Sequence, residues 1–221
     1  MIIAIDGPAG AGKSTVARLL AKELGFLYLD TGAMYRAITL KAINNNAEIK
    51  DQNSIIDMAK DSDIQLGNNP DGSIKVSLDG VDVSKDIRHP RVTRHVSDVA
   101  KIKEVRQIML SLQRKLGKMS DSVLDGRDIG TVVFPDADKK FYIDADFSER
   151  STRRYKELKQ MEQQIALEDV ESDLRNRDHI DSNREVAPLK KADDAIYIDT
   201  TRMSINDVVN TMLKYIGKPT R

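Results

Sequence analysis

Residues 2–15 read IIAIDGPAGAGKST. Its apolar start, 2–5, predicts a buried strand, and the pattern that follows predicts a helix over 13–24. Between them the chain satisfies G-x-x-x-x-G-K-[ST], with a strand before it and a helix after it as that motif requires. Its glycines let the backbone curl around an anion, and the helix N-terminus adds partial positive charge. The stretch therefore predicts a site for a nucleoside triphosphate.

The loop and the first helical turn supply the residues expected to bind this triphosphate. The side chain of Lys13 is expected to reach the β- and γ-phosphates. The hydroxyl of Ser14 is expected to ligate Mg²⁺, with water and phosphate oxygens as the other ligands. The full predicted set is Gly7, Pro8, Ala9, Gly10, Ala11, Gly12, Lys13, Ser14 and Thr15.

Alternating strand and helix patterns along the rest of the chain predict an α/β fold. Strand-like runs lie at 2–5, 26–29, 122–124, 140–143 and 195–198, and helical patterns lie at 13–24, 33–43, 101–116, 148–166 and 204–215. Such alternation is typical of a parallel sheet covered by helices on both faces. Between residues 63 and 83, apolar runs joined by Asn-Pro-Asp-Gly and Asp-Gly turns predict a small inserted antiparallel meander.

An aspartate directly follows each of the five predicted strands. Ligands of open parallel sheets bind beyond the carboxyl ends of the strands, so several of these carboxylates are expected near one site. For two of them, Asp144 and Asp199, the simpler interpretation is that aspartate starts turns and caps helices well. The five residues are Asp6, Asp30, Asp125, Asp144 and Asp199.

Composition narrows the class of protein further. The 221 residues include 35 basic and 35 acidic side chains, 3 histidines and no cysteine. The lack of cysteine excludes disulfide frameworks, thiolate zinc sites and cysteine nucleophiles, and the few scattered histidines argue against a histidine-rich metal centre. No segment reaches the ~18 apolar residues that span a bilayer, so we expect a cytoplasmic protein with no membrane partner.

The balance of charge hides a pattern along the chain. Residues 44–87 carry an excess of acids, and residues 88–118 carry an excess of bases. A formal net charge of +0 argues against a nucleic-acid partner, at least on average. A run of bases is most simply a solvated helix face, and a surface for polyanions is the alternative.

The motifs of GTPases and nucleic-acid motors are missing from the sequence. No glycine has an aspartate three residues before it, and no N-K-x-D sequence occurs, which argues against a GTPase. Aromatic residues make up 5% of the chain, few for a row of base-stacking platforms. Arginines are instead frequent, and the planar guanidinium suits phosphate. These features favour phosphoryl transfer between two anionic substrates.

Four motifs together resemble the bacterial cytidylate kinase family. They are GPAGAGKST at 7–15, DTGAMYR at 30–36, DGRDIGTVVFPDA at 125–137, and the segment 176–189, which contains Asn176-Arg177-Asp178, Asp181, Arg184 and Ala187-Pro188-Leu189. The similarity extends to residues 192–201 and so covers almost the whole chain. The resemblance implies transfer of the γ-phosphoryl group of ATP, with Mg²⁺, to CMP or dCMP.

The resemblance also implies a three-layer P-loop kinase fold with a five-stranded parallel sheet, the small meander and a helical lid. The ATP-binding core would comprise residues 1–30, 98–149 and 180–221. The nucleoside-monophosphate-binding region would span 31–97, with its insertion at about 63–90, and the lid would span 150–179. We expect a monomer that binds no nucleic acid.

Carried over residue by residue, the resemblance places cytosine recognition on Ser97, Arg106 and Asp128. A carboxylate can accept the exocyclic amine proton of cytosine, and a guanidinium can donate to the ring. Ribose recognition falls to Asp181 and Arg184. The acceptor phosphate is left to Arg36 and Arg127, with Arg88 as a further candidate and Thr31 near the nucleotide.

Catalysis is expected to rest on cations, namely Lys13, Arg127, Arg150, Arg154 and Arg177. Arg150, Arg153 and Arg154 share one face of a predicted helix. Closure of the lid would bring lid arginines onto the transferring phosphoryl group and exclude water. No general base is expected, because the acceptor is an ionised phosphate oxygen. Asp125 is expected to orient the waters of Mg²⁺ or Arg127 instead.

Two other functions stay open at this point. One is a kinase of another small acceptor such as UMP or shikimate, and the other is a nucleic-acid-binding P-loop module that uses the basic run 88–118. Turnover of different nucleoside monophosphates separates the first from a CMP kinase. Salt-sensitive binding of single-stranded nucleic acid without turnover would indicate the second.

Overall fold

Two sheets form the framework of the molecule. The computed structural model describes residues 1–69, 74–160 and 164–217. The central sheet contains β1 (Ile2–Asp6), β2 (Leu27–Asp30), β6 (Ser122–Gly126), β7 (Lys139–Asp144) and β8 (Ile196–Asp199), and the smaller sheet contains β3 (Ile64–Asn68), β4 (Ile74–Leu78) and β5 (Val81–Asp82). The central order is β2-β6-β1-β7-β8 with every neighbouring pair parallel, which confirms the predicted five-stranded sheet.

The helices surround both sheets. They are α1 (Lys13–Leu24), α2 (Thr31–Asn44), α3 (Gln52–Lys60), α4 (Pro90–Ala100), α5 (Lys103–Gly117), α6 (Phe147–Gln160), α7 (Leu167–Asn183) and α8 (Ile205–Ile216). Two short helical turns complete the framework, a 3-10 helix at Asp86–Arg88 and a π-helix at Ile129–Val133. Within the three described ranges, no helix has the length and apolar character needed to cross a membrane.

Successive side chains of the central strands pack on opposite faces of the sheet, as the pleat of a strand requires. Ile3 and Ile5 of β1 pack into the core shared with α1 and α8. Ala4 packs on the opposite face against Leu124, the π-helix and the apolar side of α5. The sheet is therefore covered on both faces, and the predicted three-layer arrangement is confirmed.

Helices α2 to α5 and the smaller sheet share a second apolar core. The predicted meander is confirmed, and its Asp79–Gly80 turn has φ values of 52° and 82° that suit a tight hairpin. Of the predicted Asn-Pro-Asp-Gly turn at 69–72, residues 70–72 lie outside the described residues.

Helices α3 and α4 have no counterpart among the predicted helices. Helix α3 begins after Asp51, whose carboxylate accepts the Ser54 N–H at 3.3 Å. Helix α4 begins at Pro90, in the first-turn position that proline favours. Its buried residues include β-branched valines, which weaken the helical signal although their spacing is helical.

Helices α6 and α7, which the resemblance places in the lid, pack on each other through Leu158, Val170 and Leu174. The predicted helix at 148–166 is wrong at its end, because α6 ends at Gln160 and residues 164–166 are not helical. Residues 161–163 lie outside the described part of the chain.

Candidate active site

The carboxyl ends of the central strands open onto a cavity of about 750 Å³. Its walls come from the loop after β1, from α2, α4 and α5, from the segment after β6 and from the lid helices. The predicted site residues that line it are Ala9, Gly10, Ala11, Gly12, Lys13, Ser14, Thr15, Thr31, Arg36, Ser97, Arg106, Arg127, Asp128, Arg154, Arg177, Asp181 and Arg184. Gly7, Pro8 and Arg150 do not line it. The fold thus brings the predicted donor and acceptor residues into one space.

Two glycines of the loop are required by close packing. Gly7 has a φ of +147°, and a Cβ atom there would lie 1.9 Å from the carbonyl oxygen of Ile143. Gly10 has a φ of +77°, and its Cβ would lie 2.9 Å from the carbonyl oxygen of Arg150. A side chain at either position would push the loop away from β7 or α6.

Arg150 supports the outer side of the loop. Its Nη1 donates to the carbonyl oxygen of Ala9 at 2.9 Å and to Asp178 Oδ2 at 2.5 Å. The N–H of Ala9 donates to Asp178 Oδ1 at 3.2 Å, which ties the loop to α7. The structure therefore corrects the expected position of Arg150, whose guanidinium is engaged by the loop backbone and by α7 instead of facing the cavity.

Lys13 is a buried cation among other cations. Its Nζ donates to the carbonyl oxygen of Pro8 at 2.6 Å. Burial lowers the pKa of Lys13 to about 7, the positive charges of Arg127 and Arg177 act in the same direction, and the nearby Asp125 opposes them. A phosphate beside the amine would favour its charged form, so Lys13 is suited to an anionic ligand.

Ser14, in the first turn of α1, contacts Asp125 near the carboxyl end of β6. Ser14 Oγ donates to Asp125 Oδ2 at 2.8 Å, and the Tyr28 hydroxyl donates to Oδ1 at 2.8 Å. Burial, and then the charge of Asp30, raises the pKa of Asp125 to about 6, although both hydroxyl donors favour the carboxylate. The Thr31 hydroxyl donates to the Asp125 carbonyl oxygen at 2.7 Å. Hydroxyl and carboxylate oxygens that lie side by side can act as ligands of Mg²⁺.

A buried charge network forms the opposite end of the cavity. Arg106 pairs with Asp128, and its guanidinium lies over the Tyr35 ring at 5.5 Å from the centroid. Arg184 reaches the other oxygen of Asp128 at 3.3 Å. Ser97 of α4 is buried and lines the same cavity. The arrangement presents hydrogen-bond donors and an acceptor at fixed positions.

Two arginines between these ends carry positive charge without a carboxylate partner among the described residues. Arg36 Nη1 donates to the Thr93 hydroxyl at 2.8 Å. Burial, and then the charges of Arg177 and Arg88, holds the pKa of Arg36 well below its ordinary value. Burial lowers the pKa of Arg177 to about 10, and its buried Nε has no hydrogen-bond partner in the described part of the chain. Nearby carboxylates offset these positive charges only in part, so the cavity favours a polyanion.

Two further arginines of the cavity are paired. Arg127 Nε donates to Asp181 Oδ2 at 2.8 Å, and Arg88 Nη2 donates to Asp30 Oδ2 at 2.6 Å. The expected contact between Asp125 and Arg127 is not a hydrogen bond in the structure, because Arg127 turns to Asp181. Both pairs leave other guanidinium nitrogens beside the cavity.

The arginines of α6 and α7 differ in whether they line the cavity. Arg153 and Arg154 of α6 line the cavity, and Arg154 Nη1 pairs with Glu157 at 2.7 Å. Arg175 of α7 is outside the lining, and its guanidinium lies 3.9 Å from the centroid of the Phe147 ring. The lid thus presents some of its arginines to the site and uses others for packing.

Four of the five strand-end aspartates divide into two groups, and the fifth, Asp6, accepts hydrogen bonds from the backbone after Asp128. Asp30 and Asp125 line the cavity, as expected for residues at the carboxyl edge. Asp144 and Asp199 make local turn bonds, accepting the Ala145 and Thr201 N–H groups at 2.8 and 2.9 Å. The simpler interpretation of these two is confirmed.

Sequence reasoning gave no role to three residues that support the site. Tyr28 binds Asp125, Thr93 binds Arg36, and Asp178 binds the loop. Asp178 lies within a motif that carried the resemblance, so that motif was its one signal. Tyr28 and Thr93 act through contacts distant in sequence, for which the chain shows no local pattern.

A glycine loop with a buried lysine faces an arginine-lined cavity at the carboxyl edge of a parallel sheet. This combination of fold and site defines a kinase of the P-loop class. Within that class the chain belongs to the cytidylate kinase family, because the sequence model of the family, Cytidylate kinase, matches residues 3–218. The resemblance of the four motifs is thereby confirmed.

Individual relatives cover nearly the whole chain. The chain is 49% identical over 217 residues to the cytidylate kinase of Clostridioides difficile strain 630, with 98% of each chain covered. It is 50% identical over 219 residues to that of Caldanaerobacter subterraneus subsp. tengcongensis, covering 99% of this chain and 96% of the relative. Among solved structures, a shikimate kinase from Bacteroides thetaiotaomicron shares the fold, with a TM-score of 0.50, 9% identity and 98% coverage of both chains.

Proposed function

We propose that the protein transfers the γ-phosphoryl group of ATP to CMP or dCMP, releasing ADP and CDP or dCDP. The observation that carries this proposal is the buried pair of Arg106 and Asp128, which faces the same cavity as the phosphate loop. A loop alone would support any P-loop kinase. A hydrogen-bond donor paired with a hydrogen-bond acceptor at the far end of the cavity supports a kinase that selects its substrate by recognising a base.

The charge network suits cytosine better than uracil. Cytosine carries an exocyclic amine, whose proton the Asp128 carboxylate can accept, and ring acceptors that Arg106 can donate to. Uracil has a carbonyl oxygen in place of the amine, so its oxygen would face the carboxylate. A site built for a substrate N–H can reject an analogue without it by up to ~10⁴-fold. We propose that Ser97 completes this contact from α4.

The contacts with the sugar and the phosphate of the nucleoside monophosphate are proposed from the positions of the side chains in the cavity. Asp181 and Arg184, both buried near the base network, are proposed to bind the sugar. Arg36, Arg127 and, as a further candidate, Arg88 are proposed to bind the acceptor phosphate, with Thr31 nearby. Binding a dianion there would relieve the mutual repulsion of the buried arginines. The acceptor is already ionised, so no side chain has to remove a proton.

The donor end is proposed to bind ATP together with Mg²⁺. Residues 7–15 would enclose the phosphates, and Lys13 would leave the Pro8 carbonyl oxygen to contact them. The Ser14 hydroxyl and, through water, Asp125 are the groups that would hold Mg²⁺. When bound, the ion supplies positive charge to the β- and γ-phosphates.

Residues 150–179 are proposed to act as a lid between the core and the acceptor region. Arg154 and Arg177 already line the cavity and would stabilise the charge of the transferring group, while closure excludes water. Arg150 is proposed to help by fixing the loop. The working unit is proposed to be a monomer that binds small nucleotides in the cytoplasm.

The direct test is ADP release with each of the four nucleoside monophosphates, CMP, UMP, AMP and GMP, and with dCMP. We expect CMP and dCMP to be turned over at least ~10²-fold more efficiently than UMP. Preference for UMP or AMP would overturn the choice of acceptor. Phosphorylation of shikimate alone would place the protein with another acceptor class, and salt-sensitive nucleic-acid binding without turnover would indicate a binding module.

A further inference from the structure

Asp6 is a buried carboxylate that the proposed mechanism does not use. It is the last residue of β1, directly before the phosphate loop, and it is 4% exposed. None of the ion pairs among the described residues includes it. A buried carboxylate without a cation is costly, so its hydrogen bonds have to compensate for the lost hydration.

Both oxygens of Asp6 bind the backbone that follows the base-reading residue. Oδ1 accepts the Ile129 N–H at 2.8 Å, and Oδ2 accepts the Gly130 N–H at 2.7 Å. These are the first two residues after Asp128, and they begin the π-helix. The first N–H groups of a helical turn have no partner within the turn, so an outside acceptor fixes where the turn begins.

The turn has little free space around Gly130. A Cβ atom on Gly130 would lie 3.2 Å from Lys140 Cδ and 3.4 Å from Asp6 Oδ2. The carbonyl oxygen of Asp128 accepts the N–H groups of Val132 and Val133 at 2.9 and 3.1 Å. The backbone of Asp128 is therefore held from both directions, by the turn itself and by Asp6.

We propose that Asp6 is a positioning residue for acceptor selectivity, which holds Asp128 where its carboxylate can read the acceptor base. This inference rests on the proposed function, in which Asp128 accepts the cytosine amine. Because Asp6 is bonded directly to Gly7 of the loop, one residue fixes the base-reading turn relative to the bound donor. The two ends of the cavity are thereby kept at a constant separation.

Replacing one oxygen of Asp6, which accepts a hydrogen bond, should weaken the use of CMP as phosphoryl acceptor and leave ATP binding unchanged. In Asp6→Asn the side chain keeps its shape, but its amide group faces one of the two backbone N–H groups. That N–H loses its partner, and the turn relaxes away from β1 together with Asp128. The loop backbone, which does not use the carboxylate, keeps its contacts with Arg150 and Asp178.

The test compares steady-state kinetics of wild type and Asp6→Asn with CMP, UMP and ATP each varied. We expect KM for CMP to rise about tenfold and the CMP:UMP ratio of kcat/KM to fall about tenfold, with KM for ATP within about twofold of wild type. Ser122→Ala is the matched control, since it removes a buried hydrogen bond of 2.9 Å to Gly117 at the far end of β6. Its ratio should equal that of wild type.

Gly130→Ala provides a second variant should Asp6→Asn fail to fold. It keeps the carboxylate but pushes the turn away from Asp6 and Lys140, so the CMP:UMP ratio should fall again. An unchanged ratio in the folded variants would overturn the positioning role. If wild type itself does not phosphorylate CMP, the proposed function fails instead, so the two failures are distinct.

Discussion

The donor and acceptor ends of the cavity are built in opposite ways. The donor end comes from the contiguous residues 7–15, and its shape rests on glycine conformations and backbone N–H groups. The acceptor end brings together Tyr35, Arg106, Asp128 and Arg184, which lie far apart in the sequence. The residues of the donor loop are neighbours in the sequence and are held in place by Arg150 and Asp178, whereas the residues of the acceptor network meet only because the whole domain packs around them.

This difference implies different responses to mutation. Loss of a donor-end side chain should reduce chemistry while leaving the acceptor bound. Loss of one partner in the acceptor network leaves another buried charge unpaired, so selectivity and stability should change together.

Lys13→Ala should lower kcat by ~10³-fold or more, because it removes the cation expected on the transferring phosphoryl group. The amine is buried with a lowered pKa, so its removal should leave the fold intact. Rapid-quench turnover measures the loss, and calorimetric titration with CMP should give a Kd within about threefold of wild type. A large loss of CMP affinity would show that the two ends are not separable.

Arg177→Ala should lower kcat by ~10²- to 10³-fold, because its guanidinium lines the cavity and its buried Nε has no hydrogen-bond partner among the described residues. Arg175→Ala is the matched control on the same helix, since its guanidinium packs on Phe147 outside the cavity. Single-turnover rates distinguish chemistry from lid opening. Equal losses in both variants would mean that α7 contributes packing and not charge.

Ser14→Ala should raise the Mg²⁺ concentration needed for half-maximal turnover by about tenfold, because the hydroxyl proposed as a metal ligand is lost. Ser14→Thr retains the hydroxyl and should restore most of the affinity. Activity is titrated against MgCl₂ at fixed ATP. The same midpoint in all three proteins would remove Ser14 from the metal site.

Asp6, which lies between the two ends, should leave a signature in the pH dependence of stability. Burial raises its pKa from 3.8 to about 7, so the folded protein binds more protons than the unfolded chain between these values. The free energy of unfolding therefore falls as pH rises through that window. Relative to Asp6→Asn, wild type should lose about 2 kcal/mol between pH 5 and pH 7 in urea titrations. A constant difference would place the pKa outside this range.

The same contrast explains what the sequence could predict. The loop, the five strands and the meander follow from local patterns, and all of them are confirmed. Helix α4, the bonds of Tyr28 to Asp125 and of Thr93 to Arg36, and the inward turn of Arg150 to Ala9 are set by tertiary packing. No spacing along the chain encodes which side of a helix meets the loop, so the position of Arg150 required the structure.

The role of Asp128 as reader of the base is tested by the CMP:UMP ratio of kcat/KM in wild type and in Asp128→Ala, with KM for ATP determined in both. Removal of the proposed amine acceptor should lower the ratio by at least about tenfold and change KM for ATP by less than about threefold. Equal losses of kcat/KM for CMP and UMP would contradict the account, because Asp128 would then support the fold of the site without reading the base.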